Sequence, residues 1–318
     1  MIAVSDYLEL VETEYLVDFV PSGGAAVKFA VAADGSADEL RRGLLDRART
    51  KGYSVATIDA AHVKAHMIDK VFTAIAGQIE WSVGAGAVVR TSLAELGFKV
   101  PQDGRLSLDR LAEANDYDPN ELRRDLNRVL QDQILRDYEL AQEFRLAMLR
   151  LCQAQVDTSD LMQTEQDFVL MWLRGELRLI SSLKQAGIFQ RIARHNARDM
   201  LASLTRWIVK TGGAGLVLDF DIRRCALTKR PDDELLYYSK AAVIDVYELL
   251  RQLIDSTDEL SSCFVLVTIA PETLTDPRRG IEQHYDALKF RIWDEVRDRD
   301  RANPLAALVR TSEGGADS

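Results

Sequence analysis

The chain has 318 residues, 47% of them hydrophobic and 28% charged, with a formal net charge of −10. Such a chain can bury a sizeable core, as one large domain or two modest ones. Its acidic balance argues against a wholesale nucleic-acid binder, which shows a basic stripe, and leaves a local basic face open. Three scattered cysteines, Cys152, Cys225 and Cys263, have neither metal nor redox spacing, which suits a reducing cytoplasm. No apolar run reaches membrane-spanning length, and the first residues lack a signal pattern. A cytoplasmic protein with no membrane partner and no metal is expected.

Residues 5–20 predict a short amphipathic helix with Ser5 as its N-cap, broken by Pro21-Ser-Gly-Gly24. Ala25–Val31 reads as a buried strand and Ala32–Glu39 as a tight turn. A helix from about Ala37 to Lys51 and a second strand over Tyr53–Asp59 follow. Two strands joined through a helix predict a right-handed parallel βαβ unit. This order is also the framework of a P-loop, in which backbone N–H groups and a lysine cradle phosphates while a Ser or Thr holds magnesium.

The turn keeps Gly35 and Ser36, but Asp38 and Glu39 stand where Lys-[Ser/Thr] would be. Exchanging a phosphate-binding lysine for aspartate turns attraction into repulsion, each term roughly 1–4 kcal/mol at about 4 Å. At ~1.4 kcal/mol per tenfold, that moves a micromolar site toward millimolar. Asp38 and Glu39 read either as acids suited to a helix N-terminus or as docking acids for a basic partner.

Further along, Ala60 to about Val83 predicts a helix, and residues 84–210 read as almost entirely helical. Residues 106–131 look like a helix-turn-helix. Longer helices are expected from about Asn120 to Gln155, Leu161 to Leu183 and Ala193 to Lys210. The strand pattern resumes at Gly215–Asp221, where Asp219 and Asp221 alternate and are expected on opposite sides. A helix over Ser239–Ser256, a buried strand over Cys263–Ile269 and a helix over Tyr285–Arg297 follow. Leu305–Val309 is read as the last strand, and 311–318 as a polar, disordered tail. The fold expected is α/β, a P-loop NTPase-like parallel sheet flanked by helices. Its core lies in residues 1–83 and 211–310, with a large helical insertion over 84–210.

Several segments, in order, resemble the ATP-binding proteins of BREX bacteriophage-defence systems, of BrxC/BrxD type. They are Gly23-Gly-Ala-Ala-Val-Lys-Phe29, Phe144-Arg-Leu-Ala-Met-Leu-Arg150, Trp172-Leu-Arg-Gly-Glu176, Gly215-Leu-Val-Leu-Asp-Phe-Asp221 and Ala270–Gly280, followed by Tyr285-Asp-Ala-Leu288 and Arg291. The resemblance implies Gly-x-x-Gly-x-Gly-Lys-[Ser/Thr] in the nucleotide loop. Here Ala32 and Ala37 replace two glycines, Asp38 the lysine and Glu39 the hydroxyl. It also implies a metal-linked acid at Asp221 and a catalytic glutamate one residue later, where Ile222 stands; without that base nothing activates water. The resemblance therefore implies a defence protein with an inactive ATPase fold. Neither ATP nor magnesium is expected to bind, and the partners expected are proteins: an active ATPase paralogue, another defence component or a second copy.

Other residues carry weaker signals. His62 and His66 have the i, i+4 spacing of a helical zinc pair, but no third ligand or catalytic glutamate accompanies them. His195 and His284 sit among charges. Asn120, Arg123, Arg124 and Arg128 on the second helix of the 106–131 segment could contact phosphates or bases, opposed by Asp116, Asp118, Glu121 and Asp125. A DNA-binding module is the alternative function on that basis. Arg278, Arg279 and Arg291 stand where sensor or finger arginines occur in related NTPases, and could complete a neighbour's site in trans.

Overall fold

The computed structural model describes residues 1–32, 34–101, 106–157, 159–293 and 303–312. The chain divides into two compact units, one formed by residues 1–78 with 213–318 and the other by residues 79–212.

The first unit opens with a two-residue strand β1 (Ile2–Ala3), which the sequence did not announce. Helix α1 (Val4–Leu10) follows and continues as wide π-type turns over Val11–Phe19. Its cap position is Ala3 rather than Ser5. Strand β2 (Ala25–Val31) has the bounds expected, and β3 covers Ser54–Asp59. Between them, helix α2 spans Asp34–Thr50. Leu40, Leu44 and Ala48 recur every four residues on α2 and are buried, each leucine worth roughly 1.5–3 kcal/mol of burial. The helix ends at Gly52, whose φ of +81° lets the Tyr53 N–H reach back to the Ala48 carbonyl. The helix expected over 60–83 is instead a set of turns through residue 67, followed by α3 (Ile68–Ala76).

The second unit is helical: α4 (Trp81–Glu95), α5 (Leu108–Ala114), α6 (Pro119–Leu130), α7 (Gln142–Ala154), α8 (Asp160–Leu173) and α9 (Ala197–Lys210). The two helices and turn expected over 106–131 are present as α5 and α6. Asp118 caps α6 by accepting the Asn120 and Glu121 N–H groups, at 2.9 and 3.0 Å. The single helix expected from Asn120 to Gln155 is corrected to two. After α6, π-type turns over Gln131–Leu135 give way to a non-helical stretch before α7. The helix expected through Leu183 stops at Leu173, and the one expected from Ala193 starts at Ala197. Phe144 packs edge-on between Trp81 and Trp207, at centroid distances of 6.1 and 6.4 Å.

The first unit resumes with β4 (Leu216–Asp221), α10 (Lys240–Asp255), β5 (Cys263–Ile269), α11 (Pro271–Thr275), α12 (Ile281–His284), α13 (Asp286–Ile292) and β6 (Leu308–Ser312). Ser239 caps α10 through the Ala242 N–H. The helix expected over 285–297 ends at Ile292, and residues 294–302 lie outside the described residues. The last strand lies three residues beyond the expected Leu305–Val309, so Thr311 and Ser312 belong to the sheet and not to a tail. Pairing with β2, Phe29 opposite Leu308, sets that register. Residues 313–318 lie outside the described residues.

Among the described residues, six strands form one parallel sheet in the order β1-β6-β2-β5-β4-β3. Strands β2 and β3, expected as a βαβ pair, are parallel but separated by β5 and β4. On one face Ala30, Val217, Phe264, Leu266 and Val309 form a core with Tyr7 and Val11 of the first helical segment and Leu40 and Leu44 of α2. The carboxyl ends of β2, β4 and β5 lie side by side, with Ala30 opposite Thr268 and Asp221 opposite Thr268. In open α/β sheets that end is where ligands bind.

Candidate functional site

Asp219 and Asp221 end β4, and both are buried. They are two residues apart on a strand, so they share a face, correcting the expectation that they point to opposite sides. That face lies under α2. Burial of two carboxylates there requires cations, because an unpaired buried charge costs several kcal/mol.

Arg41 of α2 supplies the first. Its Nε donates to Asp219 Oδ2 at 2.8 Å and its Nη1 to Asp221 Oδ2 at 2.9 Å. Arg223, just past the strand, supplies the second. Its Nε donates to both Asp221 oxygens at 3.1 Å and its Nη2 to Oδ2 at 2.8 Å. The Arg223 backbone N–H also donates to Asp221 Oδ1, at 3.0 Å. Arg223 reaches Asp38 as well, at 3.3 Å, and Arg41 lies 3.9 Å from Asp38. Two arginines and three aspartates thus close into one cluster.

Asp219 Oδ1 and the neighbouring Thr268 Oγ1 are buried without a hydrogen-bond partner among the described residues. Burial pushes Asp219 up to about 6, with Arg41 pulling the other way and Asp221 adding to the rise. A carboxyl raised above its ordinary value binds more protons folded than unfolded. Asp219 therefore withdraws stability as pH climbs from about 4 to 6 and returns it on acidification.

Of the residues nominated for the nucleotide loop, Ala32 lies between strand and helix and the others lie within α2. β2 ends at Val31 and α2 begins at Asp34, so Gly35, Ser36, Ala37, Asp38 and Glu39 are all helical. Only positions 32 and 33 separate strand from helix, and residue 33 lies outside the described residues. Ala32, Ser36 and Ala37 are buried, while Gly35, Asp38 and Glu39 are exposed. Within a helix, only the first four N–H groups lack an intrahelical partner. Those of Asp38 and Glu39 are past that point, and the two acids lie beyond the first turn where the helix dipole favours them. Ile222 is buried and apolar at the position compared with a catalytic glutamate.

Arg279 is buried and donates to the Leu227 and Tyr238 carbonyls, at 2.8 and 3.2 Å. Arg291 forms a two-point pair with Asp255, at 2.5 and 2.8 Å. Arg278 is exposed, and its backbone N–H bonds to Asp276. On α6, Arg123 pairs with Asp157 at 3.4 Å, Arg124 with Glu121 at 3.3 Å and Arg128 with Asp125 at 2.9 Å.

His62 and His66 lie in turns rather than on a helix, so the i, i+4 zinc geometry is lost. His62 is 3.9 Å from Asp59, and His66 packs edge-on against Tyr238. His195 lies 3.3 Å from Gln190, and the His284 ring bonds to the Pro277 carbonyl at 2.8 Å. Among the described residues, no group of three or more His, Cys, Asp or Glu side chains could hold a metal ion. No helix among them is long and apolar enough to cross a membrane.

Sequence reasoning nominated Asp38, Asp219 and Asp221 but missed Arg41 and Arg223. Two acids sharing the face of a buried strand must find cations, but the sequence does not say which, because Arg41 lies 178 residues from Asp219.

In comparison with known families, the family described as BREX system ATP-binding protein BrxC/D matches residues 12–313. No curated protein and no solved structure matches the chain. With nearly its whole length matched, the chain belongs to the BREX system ATP-binding protein BrxC/D family.

Proposed function

We propose that this chain is a catalytically inactive member of its family, acting as a scaffold or regulatory subunit in BREX anti-phage defence. The observation that carries the reading is the Arg41–Asp219–Asp221–Arg223–Asp38 cluster at the carboxyl end of β4. Where a P-loop protein offers N–H donors and a lysine to phosphate, this chain offers helix. Where such a protein offers an acid to magnesium, this one has already bound its acids to arginine.

A nucleotide would have to break those pairs and gain few donors in exchange. The partners are proteins: an active ATPase of the same family, another component of the defence system, or a second copy. Arg278 is a candidate for contact with such a partner's nucleotide, since it is exposed and makes no ion pair among the described residues.

Steady-state ATP hydrolysis tests the reading. Wild type and Asp221→Asn should give the same background rate, and addition of the chain should change the rate of an active family member. Hydrolysis by the wild type that Asp221→Asn abolishes would remove it.

A further inference from the structure

A different part of the chain carries an unassigned surface. In this acidic protein, residues 174–198 hold six basic side chains and one acid, Glu176. Arg174, Arg178, Lys184, Arg191, Arg194 and Arg198 are all exposed. Among the described residues, Arg174, Arg178, Lys184 and Arg194 make no ion pair. The arginines of α6, by contrast, each face a carboxylate.

The segment folds back on itself, which gathers these charges. The Arg191 guanidinium donates to the Arg178 carbonyl. Trp172 Nε1 holds the Gln190 carbonyl at 2.9 Å, and Asn196 Nδ2 holds the Arg191 carbonyl at 3.1 Å. Beside them, Leu179 is 67% and Phe189 65% exposed. Large apolar side chains left in water beside Arg178, Lys184 and Arg194 are the pattern of a surface that meets flat, apolar faces carried on an anionic backbone.

We propose that the 174–198 surface binds single-stranded nucleic acid, with Arg178, Lys184 and Arg194 on phosphates and Phe189 stacked on a base. Single strands fit better than duplex because Arg178, Lys184, Phe189 and Arg194 lie on a loop with one 3₁₀ turn, Ile180–Leu183, rather than on a helix that could lie in a major groove. Arginine and an exposed phenylalanine also suit base stacking better than they suit an acidic protein surface. The inference is independent of whether the carboxyl end of the sheet binds nucleotide.

The test is fluorescence anisotropy of a labelled oligodeoxythymidine against the full chain over a salt series. Wild type should bind at low salt and weaken steeply as salt rises. Reversing three phosphate contacts in Arg178→Glu/Lys184→Glu/Arg194→Glu should lower the salt slope by about 2 and the affinity about a hundredfold at ~0.1 M salt. Phe189→Ala should weaken binding while leaving the salt slope unchanged, a readout that general damage to the fold would not give. Arg124→Glu/Arg128→Glu on α6 should leave binding as it is. No binding at low salt, an unchanged affinity in the triple variant, or a preference for duplex or for polyglutamate would each overturn the proposal.

Discussion

Arg41→Met should destabilise the protein by about 3–5 kcal/mol at pH 8, read from urea denaturation, the range for breaking a buried ion pair from one side. Methionine keeps most of the volume, so the loss is electrostatic rather than a cavity. Arg223 still serves Asp221, whereas Asp219 is left with neither oxygen paired. Already raised to about 6 by burial, its carboxyl rises further in the variant and takes up a proton as pH falls. The destabilisation should therefore shrink on acidification, by about 1.4 kcal/mol per pH unit between the variant's folded pKa and that of the wild type. Arg41→Met/Asp219→Asn should recover much of the loss, because it removes the stranded charge along with its partner. A loss under about 1 kcal/mol that ignores pH would mean the pair is not the buried unit described.

Gly215→Ala should cost on the order of 3 kcal/mol or more by the same measurement. Gly215 leads into β4 with φ +138°, and a Cβ there would sit 2.2 Å from the Ser262 carbonyl oxygen. That oxygen accepts the Leu216 N–H at 2.9 Å, the bond that starts the pairing of β4 with β5. Relief of the clash would have to move one central strand off the other. Gly212→Ala is the control: its φ is also positive, +90°, but its added Cβ meets nothing within 4 Å. The difference between the two variants isolates the steric part. Equal effects would show that backbone strain alone, not the approach of the two strands, sets the cost.

The apolar runs of β2 and β5 could be read to the residue, because both strands lie at the centre of a parallel sheet and are buried on both faces. Strand β6 could not. Leu305-Ala-Ala-Leu-Val looks like a strand, but pairing of Leu308 with Phe29 decides the register, and Lys28 Nζ instead holds the Leu305 carbonyl at 2.6 Å. The two-residue β1 has no periodicity to read and exists through Thr311 and Ser312.

In the helical unit, composition announced helix but not its interruptions. Leu122, Leu126 and Leu130 carry an unbroken stripe along α6, and nothing in that stripe marks the break that follows. At the candidate site the acids were visible and their cations were not. Arg41 is 178 residues from Asp219 in sequence, and only the fold brings them together. The start of α2 matters most. Asp-Gly-Ser looks like turn chemistry, yet the helix begins there, driven by the buried Leu40 and Leu44 stripe one turn on.

Calorimetric titration of the purified chain with ATP and Mg²⁺ tests the central claim most directly. The account predicts no heat from wild type, and none from Asp38→Lys/Glu39→Ser, because both positions lie inside α2 and the β4 acids stay bound to Arg41 and Arg223. Saturable micromolar binding by wild type, lost in Asp221→Asn, would contradict it. The cluster at the end of β4 would then be a resting arrangement that nucleotide displaces.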